Sequence, residues 1–201
     1  LNYQGVLNNA LRLRGQEIFL DMYDHPMFVH RLFDHITDTM INVAHAVQKR
    51  QRDSGFSVNL FSCSNCVINM IAPEMYEEFI LPCDIKISKE FEAFGIHTCN
   101  WNATSYIPQL SQIERMGYID MGIETDLVRM KKSFPYARRA VLYSPVKAEN
   151  APMDEIEKDF KKIAEELTPC DLVLADLETS ISDEKVIKII KLANNLAKEM
   201  K

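Results

Sequence analysis

Short apolar segments alternate with longer segments of helical periodicity along the whole chain, a pattern typical of strand–helix units around a parallel sheet. The clearest helical segment runs from Pro26 to about Arg52, where apolar side chains recur at intervals of three and four residues. Proline suits the first turn of a helix, since that position needs no backbone N–H. Six units are predicted, with strands at residues 3–7, 56–62, 95–98, 118–121, 139–143 and 171–175.

The polar and apolar periodicity also predicts the helices between these strands. Acidic residues near position 154 suit a first helical turn, because the amino end of a helix attracts negative charge. The predicted helices are residues 17–23, 26–52, 73–94, 105–115, 126–133, 153–167 and 182–200. The fold class is therefore α/β.

Six units are too few to close an eight-stranded barrel, because the missing strands would leave two open edges. The chain also opens on an apolar segment without an initiator methionine. We therefore expect residues 1–201 to be the C-terminal part of a single (β/α)8 barrel domain, a TIM barrel, whose N-terminal part is missing. A self-contained flavodoxin-like sheet is the alternative, but the sequence carries no Gly-rich dinucleotide motif and no P-loop to support it.

The composition indicates which partners and which cellular compartment are expected for this protein. With 47% hydrophobic residues and a net charge of -6, the chain resembles a globular protein without the basic surface that nucleic acid or an anionic membrane requires. It contains no apolar run near the roughly 18 to 20 residues that cross a bilayer. Five cysteines, an odd number, do not suggest a disulfide framework. The sequence predicts a cytoplasmic protein with reduced thiols and with neither nucleic-acid nor membrane partners.

The ends of the predicted strands carry most of the candidate chemistry. In a parallel barrel the active site forms at the carboxyl ends of the strands. His97 and Cys99 end one strand, and residues two apart on a strand project from the same face, so the pair can share a metal. Imidazole nitrogen and thiolate sulfur are ligands that zinc prefers. The alternative is that Cys99 packs as a small apolar residue while His97 makes a local hydrogen bond.

Three segments carry a resemblance to a known family. They are residues 21–26 (DMYDHP), 70–82 (MIAPEMYEEFILP) and 95–100 (GIHTCN). In this order they resemble the uroporphyrinogen decarboxylase superfamily, and the similarity extends over nearly all of the chain. That superfamily contains decarboxylases and cobamide-dependent methyltransferases, and the His-x-Cys pair resembles the methyltransferase branch.

The resemblance implies a zinc-dependent reaction at His97 and Cys99. In those methyltransferases the pair and a later cysteine hold a zinc ion that activates the thiol of the methyl acceptor, so that a thiolate attacks a methyl group carried on a corrinoid such as methylcobalamin. The later cysteine is not matched, because residues 176–179 (DLET) stand where the family has a Gly-Cys-Gly-like turn. Cys170 precedes the last strand and is expected at the opposite end of the barrel.

Other strand-end residues are candidates for the remaining roles. Cys63 is predicted as the third metal ligand, with Glu178 as a substitute, whereas the segment from Cys63 to Cys66 is otherwise a CxxC without structural consequence. Asp176 and Glu178 are the candidate catalytic carboxylates. The aromatic side chains of Trp101 and Tyr143 are candidates for a wall against a flat corrinoid, with core packing as the alternative.

The leading hypothesis is a zinc-dependent methyltransferase that moves a methyl group between a corrinoid and a small acceptor, either a thiol or a folate. Its expected partners are a corrinoid protein or a small-molecule methyl acceptor, together with the N-terminal remainder of the barrel. Two alternatives stay open. One is uroporphyrinogen decarboxylation in porphyrin and heme biosynthesis, and the other is a non-catalytic barrel that binds a corrinoid or a metal.

Overall fold

A computed structural model describes residues 2 to 199 of the chain. Six strands form one sheet in the order β1-β2-β3-β4-β5-β6, which is also their order along the chain. The strands are β1 (Asn2–Gln4), β2 (Leu60–Ser64), β3 (Ala93–His97), β4 (Met116–Met121), β5 (Arg138–Tyr143) and β6 (Asp171–Leu174). The pairs β1–β2, β2–β3 and β5–β6 are parallel. The predicted α/β class with six strand–helix units is confirmed.

Helices occupy the connections between the strands. They are α1 (Val6–Arg14), α2 (Glu17–Asp24), α3 (Pro26–Asp53), α4 (Pro73–Met75), α5 (Leu81–Glu90), α6 (Ile107–Leu110), α7 (Leu127–Ser133), α8 (Pro145–Asn150), α9 (Met153–Leu167) and α10 (Asp183–Glu199). A π-helical turn, Tyr76–Ile80, joins α4 to α5, and two short 3-10 turns are formed by Ile68–Met70 and Thr104–Tyr106. Within residues 2–199, no helix combines the length and apolarity needed to cross a bilayer.

The chain divides into two compact units, the first built on β1, β2 and β3. Aromatic rings fill the core of this unit. Phe61 stacks on Tyr3 at a ring-centroid distance of 4.6 Å and lies 4.7 Å from Phe91. The long helix α3 packs against α1, α2 and α5 along the apolar stripe that its periodicity predicts.

The second unit is built on β5 and β6 with α7, α9 and α10. Helix α9 is amphipathic, and its buried side chains repeat at helical spacing. These side chains are Ile156, Phe160, Ile163 and Leu167. The ring of Phe160 meets the ring of Tyr143 edge to face at 5.1 Å, which fastens α9 to β5.

Several element boundaries differ from the sequence prediction for local reasons. The first strand ends at Gln4, because Gly5 is the N-cap of α1 and the chain turns helical at Val6. The strand predicted from residue 56 begins only at Leu60, since Phe56 is exposed and lies outside the sheet. The carboxyl end of β2 also differs, since the strand continues to Ser64, two residues beyond the predicted end and past Cys63.

The helix predicted over residues 73–94 is interrupted by the π-helical turn and ends at Glu90, and its last residues belong to β3. The helix predicted over residues 105–115 is reduced to a 3-10 turn and the short α6. Helix α8 was not predicted, although Ser144 and Pro145 supply the expected start signals. The Ser144 side chain accepts a hydrogen bond from the backbone N–H of Lys147 at 3.4 Å.

Candidate metal centre

Three metal-ligand side chains meet beyond the carboxyl ends of β2 and β3. The thiols of Cys66 and Cys99 and a ring nitrogen of His97 all lie within 4.8 Å of one another. Ligand atoms around a tetrahedral zinc lie about 3.5 to 3.8 Å apart, since zinc–ligand bonds are about 2.0 to 2.3 Å. The three side chains are half-buried. The three side chains therefore form a candidate metal centre.

The end of β2 determines where Cys66 lies. The strand stops at Ser64, but the backbone N–H of Asn65 still donates to the carbonyl oxygen of His97 at 2.8 Å. Cys66 therefore begins a turn at the point where the two strands separate. The N–H of Ile68 closes this turn by donating to the carbonyl oxygen of Asn65 at 3.2 Å. The Cys66 turn is thus held at both ends through Asn65.

The turn after β3 brings Cys99 close to His97. The strand ends at His97, so alternation along a strand does not explain why the two side chains lie together. Cys99 instead adopts a left-handed conformation with φ 61°, which bends the chain back within two residues. For a residue other than glycine this conformation costs on the order of 1 kcal/mol, and such residues occur often at functional sites.

Cys63, which was predicted as the third ligand, lies outside this group, and Cys66 is the cysteine that lies beside His97 and Cys99. In the sheet register Cys63 is paired with Ile96, while Ser64 is paired with His97. Because successive side chains of a strand point to opposite faces, Cys63 and His97 lie on opposite faces of the sheet. The Cys63 thiol is fully buried, and burial together with nearby Asp84 raises its pKa well above the usual range. Such a thiol is unreactive and difficult to metallate.

A buried polar network lies next to the Cys66 turn. The Asp84 carboxylate oxygen Oδ2 accepts hydrogen bonds from the Asn65 side-chain amide at 2.9 Å and from the Tyr76 hydroxyl at 2.8 Å. All three side chains are fully buried. Burial raises the pKa of Asp84 to about 7, although the two donated hydrogen bonds act in the opposite direction. The second oxygen of Asp84 has no hydrogen-bond partner among the described residues.

Gly5 provides the space that this network needs. A Cβ atom added at Gly5 would lie 1.9 Å from the side-chain oxygen of Asn65 and 2.8 Å from the carbonyl oxygen of Ser64. The Gly5 N–H also donates to the carbonyl oxygen of Ser64 at 2.8 Å. The start of α1 therefore packs directly on the last residues of β2, and any larger residue would displace Asn65.

The remaining predicted residues of the last strand lie in the second unit. Asp176 and Glu178 are exposed in the segment after β6, and Asp176 has a left-handed backbone with φ 55°. Neither belongs to the group formed by the two thiols and the imidazole. Cys170 directly precedes β6 and lines a cleft with residues 135–139, at the amino ends of β5 and β6. This is the end of the strands at which it was predicted.

The two candidate aromatic residues differ in their surroundings. Tyr143 is fully buried, and its hydroxyl donates to Asp159 on α9 at 2.8 Å. Burial, followed by this hydrogen bond, raises the pKa of Tyr143 above its ordinary value. These contacts correspond to the core-packing alternative. Trp101 is half-buried in the segment after β3, where its carbonyl oxygen accepts a hydrogen bond from the N–H of Gly122 at 3.0 Å.

Sequence reasoning missed Cys66, Asn65, Asp84 and Tyr76. The CxxC spacing did draw attention to the turn, but Cys63 was selected instead of Cys66 because the end of β2 was placed two residues too early. No motif marks Asp84, which stands among ordinary helix-forming residues. Its signal is the apolar spacing of α5, which places it on the same face as Leu81 and Ile87.

The comparisons with known proteins concern the family and the fold of the chain. No curated protein sequence matches the chain. Among solved structures, a methyltransferase from Methanosarcina mazei is similar, with a TM-score of 0.75 and 14% sequence identity over 98% of this chain. The match covers 58% of that methyltransferase, so the fold is that of part of a TIM barrel. The family model described as uroporphyrinogen decarboxylase (URO-D) matches residues 13–166, and the chain belongs to this family.

Proposed function

We propose that this protein is a zinc-dependent methyltransferase that moves a methyl group between a corrinoid and a small acceptor, either a thiol or a folate. The observation that carries the proposal is the convergence of Cys66, His97 and Cys99 at the carboxyl ends of β2 and β3. Parallel barrels form their active sites at this end. The resemblance of the His-x-Cys pair to the methyltransferase branch supports the same reaction.

The donor set fits zinc better than it fits magnesium or calcium. Two thiolates and one imidazole are soft or borderline ligands, whereas magnesium and calcium require oxygen ligands. Structural zinc sites have four protein ligands, and catalytic sites have three with one open position. Three ligand side chains on the half-exposed side of the strand ends therefore favour a catalytic centre.

A zinc ion bound there would lower the pKa of an acceptor thiol and so supply the thiolate that the reaction needs. The task of the chain itself is to hold three ligands and leave a fourth position open to the acceptor. The partial exposure of Cys66, His97 and Cys99 provides that access. The buried thiol of Cys63, on the opposite face of the sheet, takes no part in this proposal.

Further roles are proposed for residues at other strand ends. Asp176 and Glu178 are the proposed catalytic carboxylates, because both are exposed in the segment that follows β6. Trp101, in the segment after β3, is proposed to contact the corrinoid. The proposed partners are a corrinoid protein or a small-molecule acceptor, and the N-terminal remainder of the barrel, which would complete a sheet whose outer strands are β1 and β6.

The test combines zinc content with catalysis in the full-length protein. Wild type, Cys99→Ala and the control Cys170→Ala should be purified with added zinc, and demethylation of methylcobalamin should be measured with a thiol acceptor. We expect Cys99→Ala to lose both zinc and methyl transfer, and Cys170→Ala to keep both. Wild-type protein that holds no zinc and decarboxylates uroporphyrinogen would overturn the proposal. Zinc binding without any turnover would instead indicate a non-catalytic metal-binding barrel.

A further inference from the structure

We infer that Asn65, Asp84 and Tyr76 form a buried positioning network that holds the Cys66 turn in the geometry needed for metal binding. The three residues are called the Asp84 network below. The inference rests on the proposed metal centre and adds residues that do not touch the metal. It concerns where Cys66 lies, and therefore how tightly the metal is bound.

Asn65 connects the two parts of the centre through short contacts. Its backbone N–H binds the carbonyl oxygen of His97 at 2.8 Å, and it directly precedes Cys66 in the chain. Its side-chain amide is held by Asp84 at 2.9 Å. Rotation of Asn65 away from Asp84 would therefore shift one metal ligand relative to another. Groups that orient metal ligands in this way typically affect affinity by about 10- to 100-fold.

The position of Asp84 is difficult to explain by stability alone. A carboxyl group without exposed surface costs free energy, and an apolar side chain would suit the core between α5 and the sheet better. Its neighbours on the buried face of α5 include Leu81 and Ile87, which are apolar. A polar group that is retained at such a cost provides structural specificity, which here is the orientation of Asn65.

Tyr76 completes the network from an unusual backbone position. It begins the π-helical turn Tyr76–Ile80, and single π-helical turns occur often at functional sites. Its hydroxyl donates to the same Asp84 oxygen that accepts from Asn65. The carboxylate is thus held between two donors from different segments, so its own position is well defined.

The second Asp84 oxygen, which has no partner among residues 2–199, suggests a conservative replacement. An asparagine at position 84 presents one oxygen to both donors and places its amide where the second carboxylate oxygen lies. Asp84→Asn should therefore preserve the orientation of Asn65. Asp84→Leu removes the acceptor and leaves two buried donors without a partner.

Metal binding by Asp84 variants of the full-length protein tests the inference. Cobalt(II) is the probe, because the intensity of thiolate-to-cobalt charge-transfer absorption reports how many thiolates bind. We expect wild type and Asp84→Asn to give the same spectrum and affinities within about threefold. We expect Asp84→Leu to bind about 10- to 100-fold more weakly with lower charge-transfer intensity, as Cys66 leaves the metal. Tyr76→Phe removes only a hydroxyl and should show a smaller loss in the same direction.

Ile87→Ala is the matched control, because it destabilises the buried face of α5 without touching the network. Affinity and spectrum should be compared at a temperature where every variant is folded. Wild-type-like binding by Asp84→Leu would overturn the inference, and so would an equal loss in Ile87→Ala. If Asp84→Leu does not fold, Tyr76→Phe decides, since an unchanged affinity and spectrum would overturn it. Failure of wild type itself to bind cobalt or zinc would overturn the metal centre and the network together.

Discussion

The backbone N–H of Asn65 donates a hydrogen bond to the carbonyl oxygen of His97 across 2.8 Å, one residue beyond the last paired residue of β2. This bond continues the ladder between β2 and β3 to the point where their metal-ligand residues begin. As a result, Cys66 lies two residues beyond Ser64, the partner of His97 in the sheet. The relationship makes the register of β2 and β3 the main determinant of the candidate centre.

Replacing each cysteine of the Cys63–Cys66 pair should give opposite results. Cys66→Ala is expected to lower zinc affinity by more than about 100-fold, beyond the usual effect of residues that only orient ligands. Cys63→Ala should leave zinc affinity unchanged but lower the free energy of unfolding by about 1 kcal/mol, because its fully buried sulfur leaves a small cavity. Zinc titration and urea unfolding measure the two effects. Loss of zinc in Cys63→Ala with retention in Cys66→Ala would reverse the assignment.

Two substitutions of Cys99 distinguish the energetic cost of its left-handed backbone from the role of its thiol as a ligand. Cys99→Gly and Cys99→Ala should both lose zinc, because neither has a thiol. Glycine adopts φ 61° without strain. The free energy of unfolding of Cys99→Gly should therefore be about 1 kcal/mol higher than that of Cys99→Ala. Urea unfolding of the metal-free variants measures the difference. A Cys99→Ala variant as stable as Cys99→Gly would show that the turn carries no strain.

The raised pKa of Asp84 predicts how stability depends on pH. Burial raises its pKa from the ordinary 3.8 to about 7, so between these values the folded state keeps a proton that the unfolded state has lost. The free energy of unfolding should therefore fall as pH rises from about 4 to about 7, by about 4 kcal/mol from this group, and level off above. Asp84→Asn should remove this contribution. The contribution of Asp84 is the difference in unfolding free energy between wild type and Asp84→Asn, measured by urea unfolding across this pH range. A difference that does not change with pH would contradict the prediction.

Two glycine substitutions should differ in kind. Gly5→Ala places a Cβ atom 1.9 Å from the Asn65 side-chain oxygen, so we expect a loss of several kcal/mol in unfolding free energy and weaker zinc binding. Gly15→Ala meets no atom within 4 Å and costs only the strain of its backbone at φ 74° and ψ -166°, about 1 to 3 kcal/mol. Zinc affinity should be unaffected in this control. Equal zinc affinities in both variants would show that Gly5 does not support the Cys66 turn.

The sequence by itself determined the fold class and the region of the candidate site. Apolar periodicity is a local property, so it predicted the long helix α3, the full extent of α9 and the six strands in order. The His-x-Cys spacing identified His97 and Cys99, which the structure does bring together. The reason is different, because the turn at Cys99 and not strand alternation produces their proximity.

Only the tertiary structure decided which cysteine accompanies them. Residues of a strand alternate between two faces, so a shift of one residue in strand pairing exchanges the faces, and nothing local in the segment from Cys63 to Cys66 specifies that register. The pairing of Ser64 with His97 specifies it, and the next residue, Asn65, is in contact with Gly5 and Asp84, which are distant in sequence. Side chains that meet from separate elements leave no pattern along the chain, because their contacts exist only after the sheet and α5 have packed.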